Sequence, residues 1–562
     1  MGRNGGTRLE LTWIGKDDRP RPEPRILIED SEKSYHAAVK RAGDIFDNIL
    51  IQGDNLLALK ALEADYADKV KCVFIDPPFN TGSAFEHYND GLEHSLWLSL
   101  MRDRLEVIHR LLCGDGFIFV QIDYRESARL KLLLDEVFGP TCFRNEIIVG
   151  RGTKNVQSQF EDIDALSSCH DTIYLYSKSP TPRLPKLFAK VGEPQPGKWD
   201  TFWRGTDRPT MRYNLFGQTP DRGQWRWSKD RAYAAKKAYE EYLKSHAERL
   251  SLDEYWREIE SKTGEEPNFV RLGPDNNVQY YVGPRDYKLL SDVWIDIRTL
   301  GKQTSFPHEK HEELLERIIG WVTKPGDLVL DSFAGSGTTG AVAHKMGRRW
   351  IMVELGDHAV THIVPRLKKV INGEDKGGVT EATGWQGGGG FRFYHLAPSL
   401  LEKDKWGNWV IAKTYNAAML AEAMCRHMGF TYEPSQDVAE YWKHGHSSEH
   451  DFIFITTASL THNQLKAISH DVGPDRTLLI CCKAFNARLD DFENLTVKKI
   501  PHTILNRCEW GRDDYSLEIA NLPSCEPDNS NGDSDGDAPN GRKRGREKAA
   551  DSQPTLFSEE EA

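Results

Sequence analysis

Residues Asp76-Pro77-Pro78-Phe79 close the short β-rich run Val70-Lys-Cys-Val-Phe-Ile75. An acid at the carboxyl end of a strand stands where open α/β sheets keep their ligand chemistry. The two prolines stiffen the turn and carry no N–H, so it presents carbonyls and no backbone donor there. A carboxylate beside a backbone carbonyl is a double acceptor matched to a planar –NH2 group, and Phe79 adds a flat face on which a ring can stack. Accepting both protons of an amine such as adenine N6 frees its lone pair for in-line attack. The chemistry these residues suit is methyl transfer to an exocyclic nitrogen. The same residues also read as a plain strand-to-loop turn with a helix-capping acid.

A second constellation is Val329-Leu-Asp331-Ser-Phe333-Ala-Gly335-Ser-Gly337-Thr338-Thr339, which reads as strand, glycine turn and helix. Its glycines permit positive φ and close approach of a ligand. The G-x-G lacks the third glycine of a dinucleotide fingerprint, and no G-x-x-x-x-G-K-[ST] phosphate loop occurs in the chain. Glu354 ends the next strand, at the place of the acid that holds ribose hydroxyls in doubly wound folds. A nucleoside ligand without pyrophosphate fits this pattern, and S-adenosylmethionine is one. A tight strand-to-helix connection is the plainer alternative.

Positioning these residues requires a sheet. Ile49-Leu-Ile51 reads as a strand, followed by a helix with Leu56, Leu57, Leu59 and Leu62. Leu96, Leu100, Leu105, Ile108 and Leu112 recur at roughly helical spacing, then Gly116-Phe-Ile-Phe-Val-Gln-Ile122 is a strand and 128–137 a helix. This alternation predicts a parallel sheet covered on both faces. Residues 151–300 break the rhythm: Trp199, Trp203, Trp225, Trp227, Trp256 and Trp294 interleave with Arg204, Arg208, Arg212, Arg222 and Arg226. The expected organisation is a flexible arm (1–44), a catalytic half (45–150), an insert (151–300), a cofactor half (301–373), a glycine-rich linker (374–394), a smaller C-terminal α/β domain (395–522) and a disordered tail (523–562).

As a set, Gly53-Asp54-Asn55-Leu56, Asp76-Pro-Pro-Phe-Asn-Thr-Gly82 and Phe333-Ala-Gly-Ser-Gly-Thr338 resemble the amino-methylating DNA methyltransferases. The catalytic motif precedes the cofactor motif, which in that family marks the β subgroup, a circularly permuted, Rossmann-like arrangement of one sheet. The resemblance covers about 46–150 and 300–372, and implies that the Trp/Arg-rich insert recognises the target. It further implies that Asp76, the Pro77 carbonyl and Pro78 form the amine-binding turn and that Phe79 stacks on a flipped base. Phe333, Gly335, Gly337 and Thr338 would line the S-adenosylmethionine site, with Asp331 near its amino-acid part, Glu354 on the ribose and Asp54 near the adenine. Ser305-Phe306-Pro307-x-x-Lys310 resembles the motif before the cofactor strand, so Phe306 and Lys310 join the cofactor set, although Lys310-His311 replaces the usual Lys-Pro. Asp at the first position points to adenine N6; cytosine N4, or a non-catalytic DNA-reading subunit on the same scaffold, are the alternatives. Methylation at cytosine C5 needs a nucleophilic Cys, normally in a Pro-Cys pair, and the chain has none. No metal is expected.

The layout also resembles the modification subunits of type III restriction systems, which implies double-stranded DNA as substrate, a separate helicase–nuclease partner and a homodimer; an orphan or other phage-defence methyltransferase is the alternative. Gln553-Pro-Thr-Leu-Phe557 resembles peptides that bind the sliding clamp. Against this, 73 Lys plus Arg face 85 Asp plus Glu, a net charge of -12, whereas nucleic-acid-binding proteins usually carry a basic face. The balance is expected to be local, with arginines in the arm and insert and acids in the tail. No apolar run approaches the roughly 20 residues of a membrane span, the first residues lack the apolar core of a signal peptide, and nine cysteines without a C-x-x-C pair give no disulfide framework. The chain reads as cytoplasmic.

Overall fold

The computed structural model describes residues 11–19, 21–78, 90–151, 166, 168–298 and 309–510. Eleven strands form one sheet. In chain order they are β1 (Leu27–Glu29), β2 (Tyr35–His36), β3 (Asn48–Gln52), β4 (Val70–Ile75), β5 (Leu112–Ile122), β6 (Phe143–Gly150), β7 (His170–Ser177), β8 (Val293–Arg298), β9 (Leu328–Asp331), β10 (Arg349–Glu354) and β11 (Gly390–Leu396). Across the sheet the order is β1-β11-β3-β10-β9-β4-β5-β7-β6-β8, with β2 also on β11. The six strands from β11 to β5 are parallel, as the alternation predicts. The flanks are not: β7 runs antiparallel between β5 and β6, and β1 and β2 pair antiparallel with β11.

The central strands are near-continuous apolar runs because both faces are covered. Alternate side chains divide between two cores. Ile49, Ile51, Val73, Ile75, Leu330 and Val353 pack with α1 (Asn55–Tyr66), α2 (Asp90–Leu111) and α3 (Tyr124–Phe138). Leu50, Cys72, Phe74, Val329 and Met352 face the other way, onto α4 (Glu312–Val322), α5 (Thr338–Lys345) and α6 (Val364–Ile371).

Three expected boundaries need correction. Residues 374–394, read from composition as a linker, include most of β11, whose Phe391 and Phe393 are fully buried. The glycines serve close approach there: a Cβ at Gly390 would lie 2.7 Å from the Tyr35 carbonyl oxygen. The segment expected to be a loose arm is docked from residue 11 onward. Trp13 Nε1 donates to Ser99 Oγ at 2.8 Å, and the buried Glu23 carboxylate accepts from Leu400 N and Ser399 Oγ, both at 2.7 Å. The span 151–300 returns to the sheet twice, as β7 and β8, and Trp294 belongs to the sheet core. The remainder of the insert builds its own core on Phe202, Trp225 and Val270 and a second on Trp256, Phe269 and Tyr281, while Trp203 stays 43% exposed.

Beyond β11 a five-stranded sheet (Thr431–Tyr432, Gly445–His446, Asp451–Ile455, Thr477–Cys482, Leu495–Lys499) carries helices Ala417–Met428 and His462–Val472, the small α/β unit expected. Its adjacent Cys481 and Cys482 are fully buried, and burial pushes the Cys481 thiol up to about 12. The described residues up to 510 belong to one compact unit, and 511–562 lie outside the described residues. No described helix is long and apolar enough to cross a membrane.

The strand assignment of β11 is testable. Phe393→Ala should destabilise the protein by about 3–5 kcal/mol, the cost of emptying a buried aromatic site. In an exposed linker the same change would cost under about 0.5 kcal/mol. Urea titration followed by tryptophan fluorescence separates the two.

Candidate active site

Four adjacent parallel strands, β3, β10, β9 and β4, end on one edge of the sheet and lead to Asp54, Glu354, Asp331 and Asp76. From β9 the chain crosses through α5 to β10 on one side. From β4 it crosses through α2 to β5 on the other. The crevice between β4 and β9 is therefore the switch point at which open α/β sheets bind ligands.

At that crevice Lys310 Nζ lies 2.5 Å from Asp76 Oδ2. Lys310 is 9% exposed, and its carbonyl accepts from Thr338 Oγ1 at 3.4 Å. The structure thus seats Lys310 on the Asp76 carboxylate; the sequence placed it with the cofactor residues. Pro78 is fixed by a residue that sequence reasoning missed. Trp97, 1% exposed on α2, donates its Nε1–H to the Pro78 carbonyl at 2.8 Å. In the sequence Trp97 is one more apolar residue on a helix face, and nothing local marks its hydrogen bond. Phe79 and Phe306 lie outside the described residues.

The glycine turn is held from within. Asp331 accepts from Phe333 N at 3.0 Å and from Thr339 Oγ1 at 2.5 Å. Gly335 N–H donates to Glu354 Oε2 at 2.6 Å; Glu354 Oε1 accepts from Leu355 N at 2.8 Å and Gly356 N at 3.2 Å. Gly337 caps α5 with φ +75°, and a Cβ there would come 2.7 Å from Ile363 Cγ2, so glycine is required. Thr338 Oγ1 accepts from Arg366 Nη1 at 2.9 Å, and Arg366 also holds the buried Glu309 and Glu312 at 3.0 and 2.8 Å. Arg366 too was missed, although an arginine inside the apolar pattern of α6 was its signal.

Asp54 is committed to the scaffold. Its Oδ1 caps α1 by accepting from Leu57 N at 3.0 Å, and Oδ2 accepts from the buried Arg104 at 3.2 Å. Arg104 also binds Asn55, whose Nδ2 donates to the Ser332 carbonyl at 2.8 Å. This places Asp54 as a brace between α1, α2 and the glycine turn.

The electrostatics define the ligand class. Burial pushes the Asp331 carboxyl up to about 7, and the negative charges of Asp76 and Glu354 push the same way, against the two hydrogen bonds it accepts. His358, 3.0 Å from Glu354, is raised: its desolvation is outweighed by the Glu354 hydrogen bond and charge. Three carboxylates around one crevice favour a cationic, hydroxyl-bearing ligand and disfavour a phosphate. The double-acceptor turn Asp76-Pro77-Pro78 lies beside this acid-lined crevice.

The model of the DNA methylase family matches residues 70–365, more than half of the chain. The chain belongs to that family. Curated relatives bear it out. The probable type III restriction-modification enzyme HindVI Mod subunit of Haemophilus influenzae is 32% identical over 63% of this chain and 54% of its own length. The type II methyltransferase M.EcaI of Enterobacter cloacae is 28% identical over 64% and 78%. The type III EcoP15I Mod subunit of Escherichia coli is 25% identical over 70% and 72%. The chain thus spans about half the length of the Haemophilus relative.

Two predictions follow from this geometry. An acid whose folded value lies above its unfolded one of about 4 keeps extra protons in the folded state, so stability falls as pH rises between about 4 and about 7. Asp331→Asn should flatten that slope in urea titrations of the ligand-free protein. Trp97→Phe removes a buried donor and keeps an aromatic ring, and should lower kcat about 10-fold with unchanged cofactor affinity by calorimetry.

Proposed function

We propose that the protein is a site-specific DNA methyltransferase that moves a methyl group from S-adenosylmethionine to adenine N6 of a base flipped out of the duplex. The supporting observation is the juxtaposition across the β4–β9 crevice of Asp76-Pro77-Pro78 with the acid-lined glycine turn. The donor set suits this cofactor: Glu354 for ribose hydroxyls, and Asp331 for the ammonium, whose positive charge would favour the ionised form of a carboxyl that burial otherwise raises. Gly335, at φ +53°, suits close approach at the turn. Phe333 and Thr338 belong to the same wall. The cofactor would supply an electrophilic methyl group on sulfur. Asp76 and the Pro77 carbonyl would accept the two amine protons, with Asp76 oriented by Lys310 and the turn by Trp97. A base in a duplex is out of reach of such a crevice, so flipping is required, at about a few kcal/mol.

Adenine N6 is favoured by Asp76 at the first position of the turn. The Mod names of relatives favour a restriction-modification context, with double-stranded DNA as substrate, the C-terminal α/β unit as the place where a helicase–nuclease subunit docks, and the cytoplasm as location. A homodimer belongs to the same reading. The proposed clamp peptide Gln553-Pro-Thr-Leu-Phe557 lies outside the described residues.

Single-molecule sequencing of DNA from cells expressing the chain should reveal N6-methyladenine at one recurring sequence, absent with Asp76→Ala. N4-methylcytosine would move the assignment to cytosine. Identical patterns with both proteins would refute the catalytic role of Asp76.

A further inference from the structure

The edge that carries Asp76 continues into a second set of residues. β5 lies beside β4 with Val120 level with Ile75 and runs on to Ile122, so the chain leaves both neighbouring strands on the same edge of the sheet. Asp123, which follows β5, accepts from Arg125 N and from Arg125 Nη1, each at 3.0 Å. Arg129 Nη1 lies 3.5 Å from Glu126 Oε2, and Glu126 also holds His94. On β7, Asp171 accepts from Gln121 Nε2 at 3.0 Å and lies 3.6 Å from Arg151, the residue that follows β6. The three acids are 0%, 0% and 2% exposed, whereas the side chains of Arg125, Arg129 and Arg151 are 43%, 40% and 31% exposed. Tyr124 is 61% exposed, and the Arg125 guanidinium lies 5.3 Å from its ring centre.

Burying a carboxylate against a cation is seldom worth more for stability than an apolar pair. Three such pairs along one sheet edge fix where three guanidinium groups point. Each guanidinium has five N–H donors; its acid takes only some of them, and the half that faces solvent keeps donors for a phosphate. An exposed tyrosine among them offers a stacking face.

We propose that this rim grips the DNA strand that bears the target base. Arg125, Arg129 and Arg151 bind phosphates beside the extruded nucleotide, and Tyr124 stacks on a neighbouring base. The proposal rests on the DNA methyltransferase reading and assigns strand contacts to the sheet edge beside Asp76, through Arg125 and Arg129 before the insert and Arg151 at its first position.

The test uses the full chain and a duplex oligonucleotide carrying the site found by sequencing. With all three arginines changed to Ala, the duplex should bind about 10- to 100-fold more weakly, and the plot of log K against log salt should be shallower by about 2–3. With all three changed to Lys, most of the slope should return, and S-adenosylmethionine should bind all forms alike. Neutral methylphosphonates at the phosphates flanking the target base should weaken the wild-type protein similarly, a measurement independent of how the variants fold. A folded triple-Ala protein with wild-type affinity and slope, or wild-type protein indifferent to the methylphosphonates, overturns the rim. Wild-type protein that leaves cellular DNA unmethylated would instead overturn the reading beneath it.

Discussion

The contact between Lys310 and Asp76 joins two stretches of chain that the insert separates, and the rest of the site depends on it. It forms because β9 pairs in parallel with β4, Val329 level with Cys72 and Leu330 level with Val73. That pairing sets the Asp76-Pro77-Pro78 turn beside the glycine turn. Any length of chain can be looped out between the two halves without disturbing it, since loop-closure cost grows only slowly with length. The permuted motif order therefore has no physical cost at the site: the crevice is made by neighbouring strands, whichever comes first in the chain.

Around this pair the protein arranges carboxylates of two kinds. Asp331 and Glu354 are buried at the crevice and accept from backbone amides of the glycine turn and the β10 end, so they hold its shape before any ligand arrives. Glu309 and Glu312 are buried behind it and paired with Arg366 and Lys345, which lock α4 to α5 and α6. Acid at the β5–β7 edge likewise holds cations that face outward. Many of the acids that make the net charge -12 are thus structural counterparts of arginines and lysines. The sum says little about the field at the catalytic edge, which depends on the charges that remain exposed there.

Much of this site is legible in the sequence because its parts are local. A strand ending in an acid, a proline turn and a G-x-G turn each declare themselves within a dozen residues, and the alternation of strands and helices places them on one edge. What sequence reading missed is non-local. The sheet membership of β11 depends on pairing with β1, β2 and β3, while its leading glycines read as a hinge. The docking of Trp13 and Glu23 depends on partners far along the chain. Trp97 and Arg366 look like ordinary helix residues until the turns they hold are in place. Lys310 sits in a recognisable motif, yet only the fold shows which carboxylate it meets.

The path of the insert follows from the same strand directions. Because β7 runs against β5, its last residue, Ser177, lies level with Phe117 at the middle of β5, away from Asp76. The chain then crosses the α4 face, where Leu184 and Leu187 pack against that core and Trp321 Nε1 donates to the Pro185 carbonyl at 2.8 Å. It re-enters the sheet at Val293, level with Ile148, beside the last residues of β6 on the catalytic edge. The antiparallel β7 thus leads the chain away from the edge that carries Asp76, and β8 brings it back to that edge. The mixed flank, which the alternating pattern did not predict, anchors a large insert at both ends to the sheet that carries Asp76, Asp331 and Glu354.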